Sequence, residues 1–325
     1  MTVLVTGTAG FIGMHVAAAL LARGETVIGV DSLTDYYSVA LKEARLASLT
    51  GRRGFSFERL DLAQPEALLR VARAHPEIDR VVHLAAQPGV RYSVDHPRAY
   101  VSANLVAQLE VLEACRHLPK LKHLVFASSS SVYGGNTKLP FAIDDRVDQP
   151  RSLYAATKKA DELMSYCYAH LYQLPSTGLR FFTVYGPWGR PDMAPWLFTE
   201  AILAGKPIKL FNHGKMRRDF TYIDDIVAGV LACLDQPPPC EAEAAYRLYN
   251  IGNSHSEELE RFVAILEQAI GRKAAVERVA MPPGDIEATY ADITETTRDF
   301  GFVPRTALAE GLPRFVAWYR AYHKL

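Results

Sequence analysis

Two hydrophobic periods alternate through the first half of the chain. Short strand-like runs, the first of them apolar throughout its centre, occur at Thr2 to Thr6, Glu25 to Val30, Phe55 to Leu60, Arg80 to Ala86, His123 to Ala127 and Arg180 to Gly186. Runs of this length, bounded by turn residues, predict buried strands. Between them, apolar residues recur every three or four positions. Helices are expected over Met14 to Arg23 with Gly24 as C-cap, from Pro65 onward, over Pro97 to His117 as one long element, and across Leu153 to Leu171. Six strands alternating with helices predict an α/β fold built on a doubly wound parallel sheet. From about residue 184 the elements shorten, with a helix near Pro195 to Ala204, a run at Ile208 to Phe211, and Arg217 to Asp225 leading into another helix. The expected organisation is therefore a dinucleotide-binding domain over 1–183, to which some later segments return, and a smaller C-terminal substrate-binding lobe over 184–325.

The junction after the first run carries Gly7, Gly10 and Gly13 and opens directly into a helix. Glycines there let backbone approach a pyrophosphate, and the N–H groups of the helix start, at Phe11 and Ile12, attract its charge. The second run ends at Asp31, where a carboxylate accepts bonds from the ribose hydroxyls of adenosine. Strand, glycine turn, helix and acidic strand end together make the sheet Rossmann-like. Asp31 repels a 2′-phosphate and Ser32 offers none of the cation such a phosphate needs, so NAD is favoured over NADP. Tyr36, Tyr37, Lys42 and Arg45 either line the adenosine side or decorate the surface. Asp61, followed by Leu62, either meets the adenine edge or caps the next helix. Leu84, Ala85 and Ala86 end the fourth run with room for a cofactor to pass. His83 reads as a core histidine, and Asn104 as either a backbone ligand near the site or a packing residue.

The remaining chemistry gathers where the fifth run meets Ser128-Ser129-Ser130-Ser131, since open parallel sheets bind ligands at strand ends. Their hydroxyls can bond a sugar hydroxyl and share protons with Tyr154. Tyr154 and Lys158 stand four apart and share a helix face. A phenol ordinarily titrates near ~10, and a neighbouring cation favours its phenolate.

Composition narrows the partners. Lysine plus arginine balances aspartate plus glutamate at 36 each, so no basic excess calls for nucleic acid. Hydrophobic residues make up 49% of the 325, enough for a sizeable core. Cys115, Cys167, Cys233 and Cys240 form no C-x2-C pair, which suits free thiols in the cytoplasm and predicts no metal cage. No apolar run approaches the roughly 20 residues that cross a bilayer, and the N-terminus enters a strand without a charged leader. Pro237-Pro238-Pro239 is a local connector, and no internal repeat is visible.

Taken together, Thr6 to Gly13, Ser128 to Gly134, Tyr154-Ala155-Ala156-Thr157-Lys158-Lys159, Arg180 to Met193 and Arg217 to Asp225 resemble the extended short-chain dehydrogenase/reductases acting on nucleotide sugars, and among them the UDP-glucuronate 4-epimerases. The resemblance spans essentially the whole chain. It implies C4 epimerisation of UDP-glucuronate to UDP-galacturonate through a 4-keto sugar, with NAD as cofactor and a UDP-sugar as ligand. It further implies Tyr154 as acid and base, Lys158 on the nicotinamide ribose, and Ser129 on the 4′-hydroxyl with Ser130 and Ser131 nearby. Arg218 is implied on the diphosphate, and Arg190 on the sugar carboxylate. Thr183 stands where many relatives have asparagine, a replacement the uronate epimerases share. A homodimer through the helices near Pro97 to His117 and Leu153 to Leu171 is likewise implied.

Relatives often carry an arginine before the Gly-Asp that corresponds to Gly284-Asp285, whereas this chain has Met281-Pro282-Pro283. Dehydratases and decarboxylases of the group place a carboxylic acid in the serine loop, where this chain has Ser130 and Ser131. A UDP-glucose-type 4-epimerase is the nearest alternative, and a UDP-glucuronate decarboxylase the next. An NAD-sensing regulator could dispense with the Ser-Tyr-Lys set, which is complete in this sequence.

Overall fold

The apolar strands at Thr2–Thr6, Arg80–His83 and His123–Ser129 are buried on both faces, as a parallel sheet covered by helices requires, whereas the edge strand Phe55–Arg59 is mostly exposed. The computed structural model describes residues 1–240, 243–281 and 287–325. In chain order its principal elements are β1 (Thr2–Thr6), α1 (Phe11–Ala22), β2 (Thr26–Asp31), α2 (Val39–Ala47), β3 (Phe55–Arg59), α3 (Ala67–Ala74), β4 (Arg80–His83), α4 (Tyr92–Asp95), α5 (Pro97–Tyr100), α6 (Ala107–Arg116), β5 (His123–Ser129), α7 (Leu153–Tyr172), β6 (Ser176–Phe181) and β7 (Thr183–Tyr185). There follow α8 (Ala194–Ala204), β8 (Ile208–Leu210), β9 (Arg217–Tyr222), α9 (Ile223–Leu234), β10 (Tyr246–Ile251), β11 (Ser256–Glu258), α10 (Leu259–Ile270), β12 (Val276–Arg278), α11 (Thr294–Phe300) and α12 (Leu308–His323).

The chain divides into two compact units. Unit 1 comprises Met1–Gly134, Arg146–Arg180 and Val227–Tyr249, and unit 2 comprises Gly135–Asp145, Phe181–Ile226 and Asn250–Leu325. A seven-stranded sheet in the order β10-β6-β5-β4-β1-β2-β3 organises unit 1. The pairs β1·β2, β1·β4, β2·β3 and β4·β5 are parallel. On one face Leu4, Ile28, Val81 and Leu124 pack against Leu68 and Val71 of α3 and Val111 and Leu112 of α6. Each such side chain contributes about 1.5–3 kcal/mol on burial. The strand order reverses between β1 and β4, the switch point at which open α/β sheets leave a crevice.

Four sequence expectations change. Arg180 to Gly186 is not one strand: β6 begins earlier, at Ser176, and Thr183–Tyr185 leaves it to pair with β9. The sheet also gains β10, which does not stand out in the sequence because Arg247 and Asn250 interrupt its apolar run. Pro97 to His117 is not a uniform α-helix, since Val101–Val106 forms a π-helical turn between α5 and α6. β4 stops at His83, so Leu84, Ala85 and Ala86 lie half-buried beyond its end.

Unit 2 holds a sheet in the order β11-β9-β7 and the pair β12-β8. Buried Asp219 on β9 ties it together. Its carboxylate accepts from Asn253 N (2.7 Å), Ser254 N (3.1 Å), Ala291 N (3.1 Å) and Thr221 Oγ1 (3.0 Å). At the start of α9, Asp225 accepts from the N–H groups of Arg305 and Thr306 at 3.1 and 2.9 Å.

Candidate active site

The turn after β1 is closed too tightly for side chains. A Cβ on Gly13 would stand 2.0 Å from Gly7 O, and one on Gly7 would stand 2.7 Å from Ala85 N. Gly7 also needs its positive φ of 72°. Its turn therefore lies against the end of β4 at the switch point. Helix α1 starts at Phe11 with Gly10 as N-cap and no capping side chain, so the N–H groups of Phe11, Ile12 and Gly13 meet no capping oxygen. An uncapped helix start above a glycine turn fits a dinucleotide pyrophosphate.

Asp31, at the end of β2, is half-buried and held by two backbone donors, Ala9 N at 3.0 Å and Leu33 N at 2.8 Å. Both bonds aim a carboxylate at the mouth of the glycine turn. Behind it Lys42 and Arg45 are buried rather than decorating the surface. Arg45 Nη1 donates to Ala9 O (3.2 Å) and Tyr37 Oη (2.6 Å), and Lys42 Nζ donates to Thr34 O (2.6 Å). Burial holds Lys42 below the ordinary ammonium range, with Asp31 pulling it back up. Asp61 is exposed and accepts from Ala63 N at 3.0 Å. It thus closes a local turn and does not cap α3, which starts at Ala67 after Glu66. Leu62 beside it is buried.

At the end of β5 the four serines divide. Ser128 turns inward and donates to Glu162 Oε1 at 2.7 Å, which removes it from the ligand-facing set. Ser129 Oγ accepts from Ser131 N at 3.2 Å and starts a 3-10 turn over Ser130–Tyr133. Helix α7 begins one residue before Tyr154, with Ser152 Oγ capping Ala155 N at 3.1 Å. Tyr154 is half-buried, and its ring meets the Tyr100 ring edge-on, centroids 6.0 Å apart. Lys158 is buried, and its Nζ lies 3.0 Å from Asp161 Oδ2.

Asn104 explains the π-helical turn. Its Oδ1 accepts from Gln87 N at 2.8 Å, and its Nδ2 donates to Thr157 Oγ1 at 2.9 Å. Thr157 in turn donates to Tyr154 O at 2.9 Å. Widening the helix brings this amide between the loop after β4 and the start of α7; π-turns often mark functional positions. His83 is a core residue with Nδ1 2.7 Å from Thr6 Oγ1. Burial, and after it the Lys158 ammonium, pushes it down to about 3, so the ring is neutral.

Sequence reasoning missed Asp161, Glu162 and the inward role of Arg180. Two acidic residues after a catalytic-type lysine look like an ordinary solvated helix face. Among the described residues, no cluster of His, Cys, Asp or Glu could hold a metal ion.

Thr183, Arg190 and Arg218 belong to unit 2. Thr183 opens β7 opposite Phe220 of β9, and Arg218 lies on β9 opposite Glu257 of β11. Arg218 Nη1 donates to the carbonyls of Arg217 (2.9 Å) and Glu287 (3.1 Å). Arg190 forms a two-point pair with Asp192, Nε to Oδ1 at 3.0 Å and Nη2 to Oδ2 at 2.7 Å. Pro282, Pro283, Gly284 and Asp285 lie outside the described residues.

Comparison with known proteins follows the same lines. The pattern of the NAD dependent epimerase/dehydratase family matches residues 3–252. A probable UDP-glucuronate 4-epimerase of Rhizobium meliloti is 47% identical over 98% of this chain and 97% of its own. A UDP-glucuronate 4-epimerase of Arabidopsis thaliana is 47% identical over 99% of this chain and 76% of its own. Among solved structures, a UDP-glucuronic acid 4-epimerase from Bacillus cereus, in complex with UDP-glucuronic acid and NAD, superposes with a TM-score of 0.91. It is 33% identical and covers 99% of this chain and 100% of that one.

Proposed function

The chain belongs to the NAD dependent epimerase/dehydratase family, and we infer that it is an isomerase interconverting UDP-glucuronate and UDP-galacturonate at C4. What carries the reading is full-length likeness to uronate 4-epimerases together with an intact Ser129, Tyr154 and Lys158 set. When bound, NAD supplies reversible hydride acceptance at the sugar C4. Gly7, Gly10, Phe11, Ile12 and Gly13 hold its pyrophosphate, Asp31 its adenosine ribose, and Asp61 and Leu62 border the adenine. Leu84, Ala85 and Ala86 give it passage.

Ser129 and Ser130 orient the 4′-hydroxyl, with Ser131 beside them. Tyr154 as phenolate takes the hydroxyl proton as C4 is oxidised and returns a proton when the opposite face is reduced. Lys158 bonds the nicotinamide ribose and favours the phenolate. Arg218 binds the diphosphate. Conversion of UDP-glucuronate, followed by chromatographic separation, should give UDP-galacturonate. Faster turnover of UDP-glucose or UDP-N-acetylglucosamine would instead favour a neutral-sugar epimerase, and UDP-pentose as main product a decarboxylase. No conversion of any would favour a regulator.

The 4-keto sugar is a β-keto acid, which loses CO2 when the bond to its carboxylate aligns with the carbonyl π orbitals. Arg190 and Thr183 hold that carboxylate out of alignment, with the guanidinium, whose Nε and Nη2 pair with Asp192, meeting it through its remaining N–H groups. Arg190→Ala is expected to raise KM for UDP-glucuronate by about tenfold or more, on the scale of a hydrogen bond to charge, and to release UDP-pentose. An unchanged KM without pentose product would refute this role.

The protein acts without nucleic acid as a partner, and among its described residues no helix is long and apolar enough to cross a membrane. Its free cysteines fit the cytoplasm. Val101 and Val106 of the π-helical turn, Leu109 on α6, and Leu163 and Tyr166 on α7 leave apolar side chains exposed. A second copy covers them in a homodimer, which sedimentation mass would reveal.

A further inference from the structure

Tyr154, Lys158 and Asp161 form an i, i+4, i+7 stripe along α7, and its third member has no place in the reaction as drawn. The Asp161 side chain is 1% exposed, with Oδ2 3.0 Å from Lys158 Nζ. Oδ1 has no hydrogen-bond partner. Neighbouring Glu162 is the contrast, a buried carboxylate with a purely structural task. Both its oxygens are engaged, by Arg180, Ser128 and Lys159. Leaving a buried carboxylate oxygen bare is unfavourable, and an asparagine would fill the same space without a charge.

Resting on the function proposed above, we infer that Asp161 is a positioning residue: it fixes the place of the Lys158 ammonium and sets how much of its charge reaches Tyr154. An ammonium in contact with an ionised carboxylate acts on a third group as a dipole, whose field falls faster with distance than that of a lone charge. When Asp161 is protonated, the full cation acts on the phenol. Burial pushes Asp161 up to about 6, against the pull of Lys158.

The other groups around the pair keep their charge in that range. Glu162, on the same helix, is held ionised by Arg180 of β6 and by Lys159, with Tyr133 under the Arg180 guanidinium. His83 of β4 is neutral. The π-helical turn and α6 present the uncharged Asn104 and Gln108 to α7, and α5 presents Tyr100. Asp161 is thus the switchable charge of the set.

The test is a magnetic-resonance titration of the NAD-loaded protein with ring-carbon-labelled tyrosine, the Tyr154 signal being the one lost in Tyr154→Phe. Wild type should show a separate inflection near pH 6 as Asp161 titrates. Asp161→Asn should abolish it and move phenolate formation to lower pH by about 1 unit, about tenfold more phenolate at a given pH. The acid limb of kcat/KM for UDP-glucuronate should move with it, and Asp161→Glu should restore both. Wild type without the inflection overturns the proposal even if no variant folds, as does Asp161→Asn tracing the wild-type curve. Because the titration reads Tyr154 without substrate, a chain that shows the shift yet converts no UDP-glucuronate refutes the function and retains the positioning role.

Discussion

Tyr154→Phe is expected to lower kcat for UDP-glucuronate epimerisation by about 10²–10⁴-fold, or ~3–5 kcal/mol of barrier, while leaving the thermal midpoint and bound NAD unchanged. The substitution removes one oxygen and keeps the ring that packs edge-on against Tyr100. The Asn104–Thr157 tether attaches to the backbone carbonyl of Tyr154, so it survives as well. Only the proton acceptor for the 4′-hydroxyl is lost. Single-turnover absorbance would show no reduced nicotinamide formed from UDP-glucuronate. A variant retaining more than about a tenth of wild-type kcat would move the acid/base role to another group.

A comparable loss, in stability rather than rate, is expected from Arg180→Met. Arg180 is buried, with Nε 2.8 Å from Glu162 Oε1 and Nη2 2.9 Å from Oε2. Burial alone would push Glu162 up. The Arg180 hydrogen bonds and charge, then Ser128 and Lys159, outweigh it and hold Glu162 below its usual value. A carboxylate so depressed contributes stability above its unfolded value of 4.5, lost as pH falls through its folded value. Removing the guanidinium reverses the balance and leaves a buried anion with Lys159 and Ser128 for support. About 3–5 kcal/mol should be lost near pH 7, and less near pH 5 where Glu162 takes up a proton. Urea unfolding at the two pH values measures this. The double variant Glu162→Met, Arg180→Met should recover most of the loss, and a double variant as unstable as the single one would refute the charge-based account.

The parts of the site legible in the sequence are those where local geometry dictates residue type. Gly7 and Gly13 are such positions, since a Cβ there would overlap backbone. Asp31 and the serines announce themselves by standing at strand ends. The inward set was hidden for the opposite reason. Asp161, Glu162 and Arg180 carry charges that composition assigns to the surface, and only tertiary pairing makes their burial tolerable. Lys42 and Arg45 behave likewise. The break in the helix after Pro97 left no trace either, because the π-turn arises from the reach of Asn104 to Gln87 and Thr157, two partners distant in sequence. Strand β10 was obscure because its hydrogen-bonding company, rather than its apolarity, makes it a strand.

The interleaving of the two units bears on the order of events during synthesis. Arg80 Nε and His123 Nδ1 both donate to Leu234 O, at 3.2 and 3.1 Å, and Ser176 N donates to Ala245 O at 2.8 Å. These acceptors leave the ribosome long after their donors, and the stretch Phe181–Ile226 that intervenes belongs to the other unit. The cofactor-binding sheet must therefore wait, with its β6 edge unpaired, until the Phe181–Ile226 stretch of the second unit has been made. Folding that depends on such distant closures is slow, and an open strand edge meanwhile invites association with other chains. Heterologous production should accordingly yield more intact protein at lower temperature, where synthesis and the exposed edge's encounters both slow.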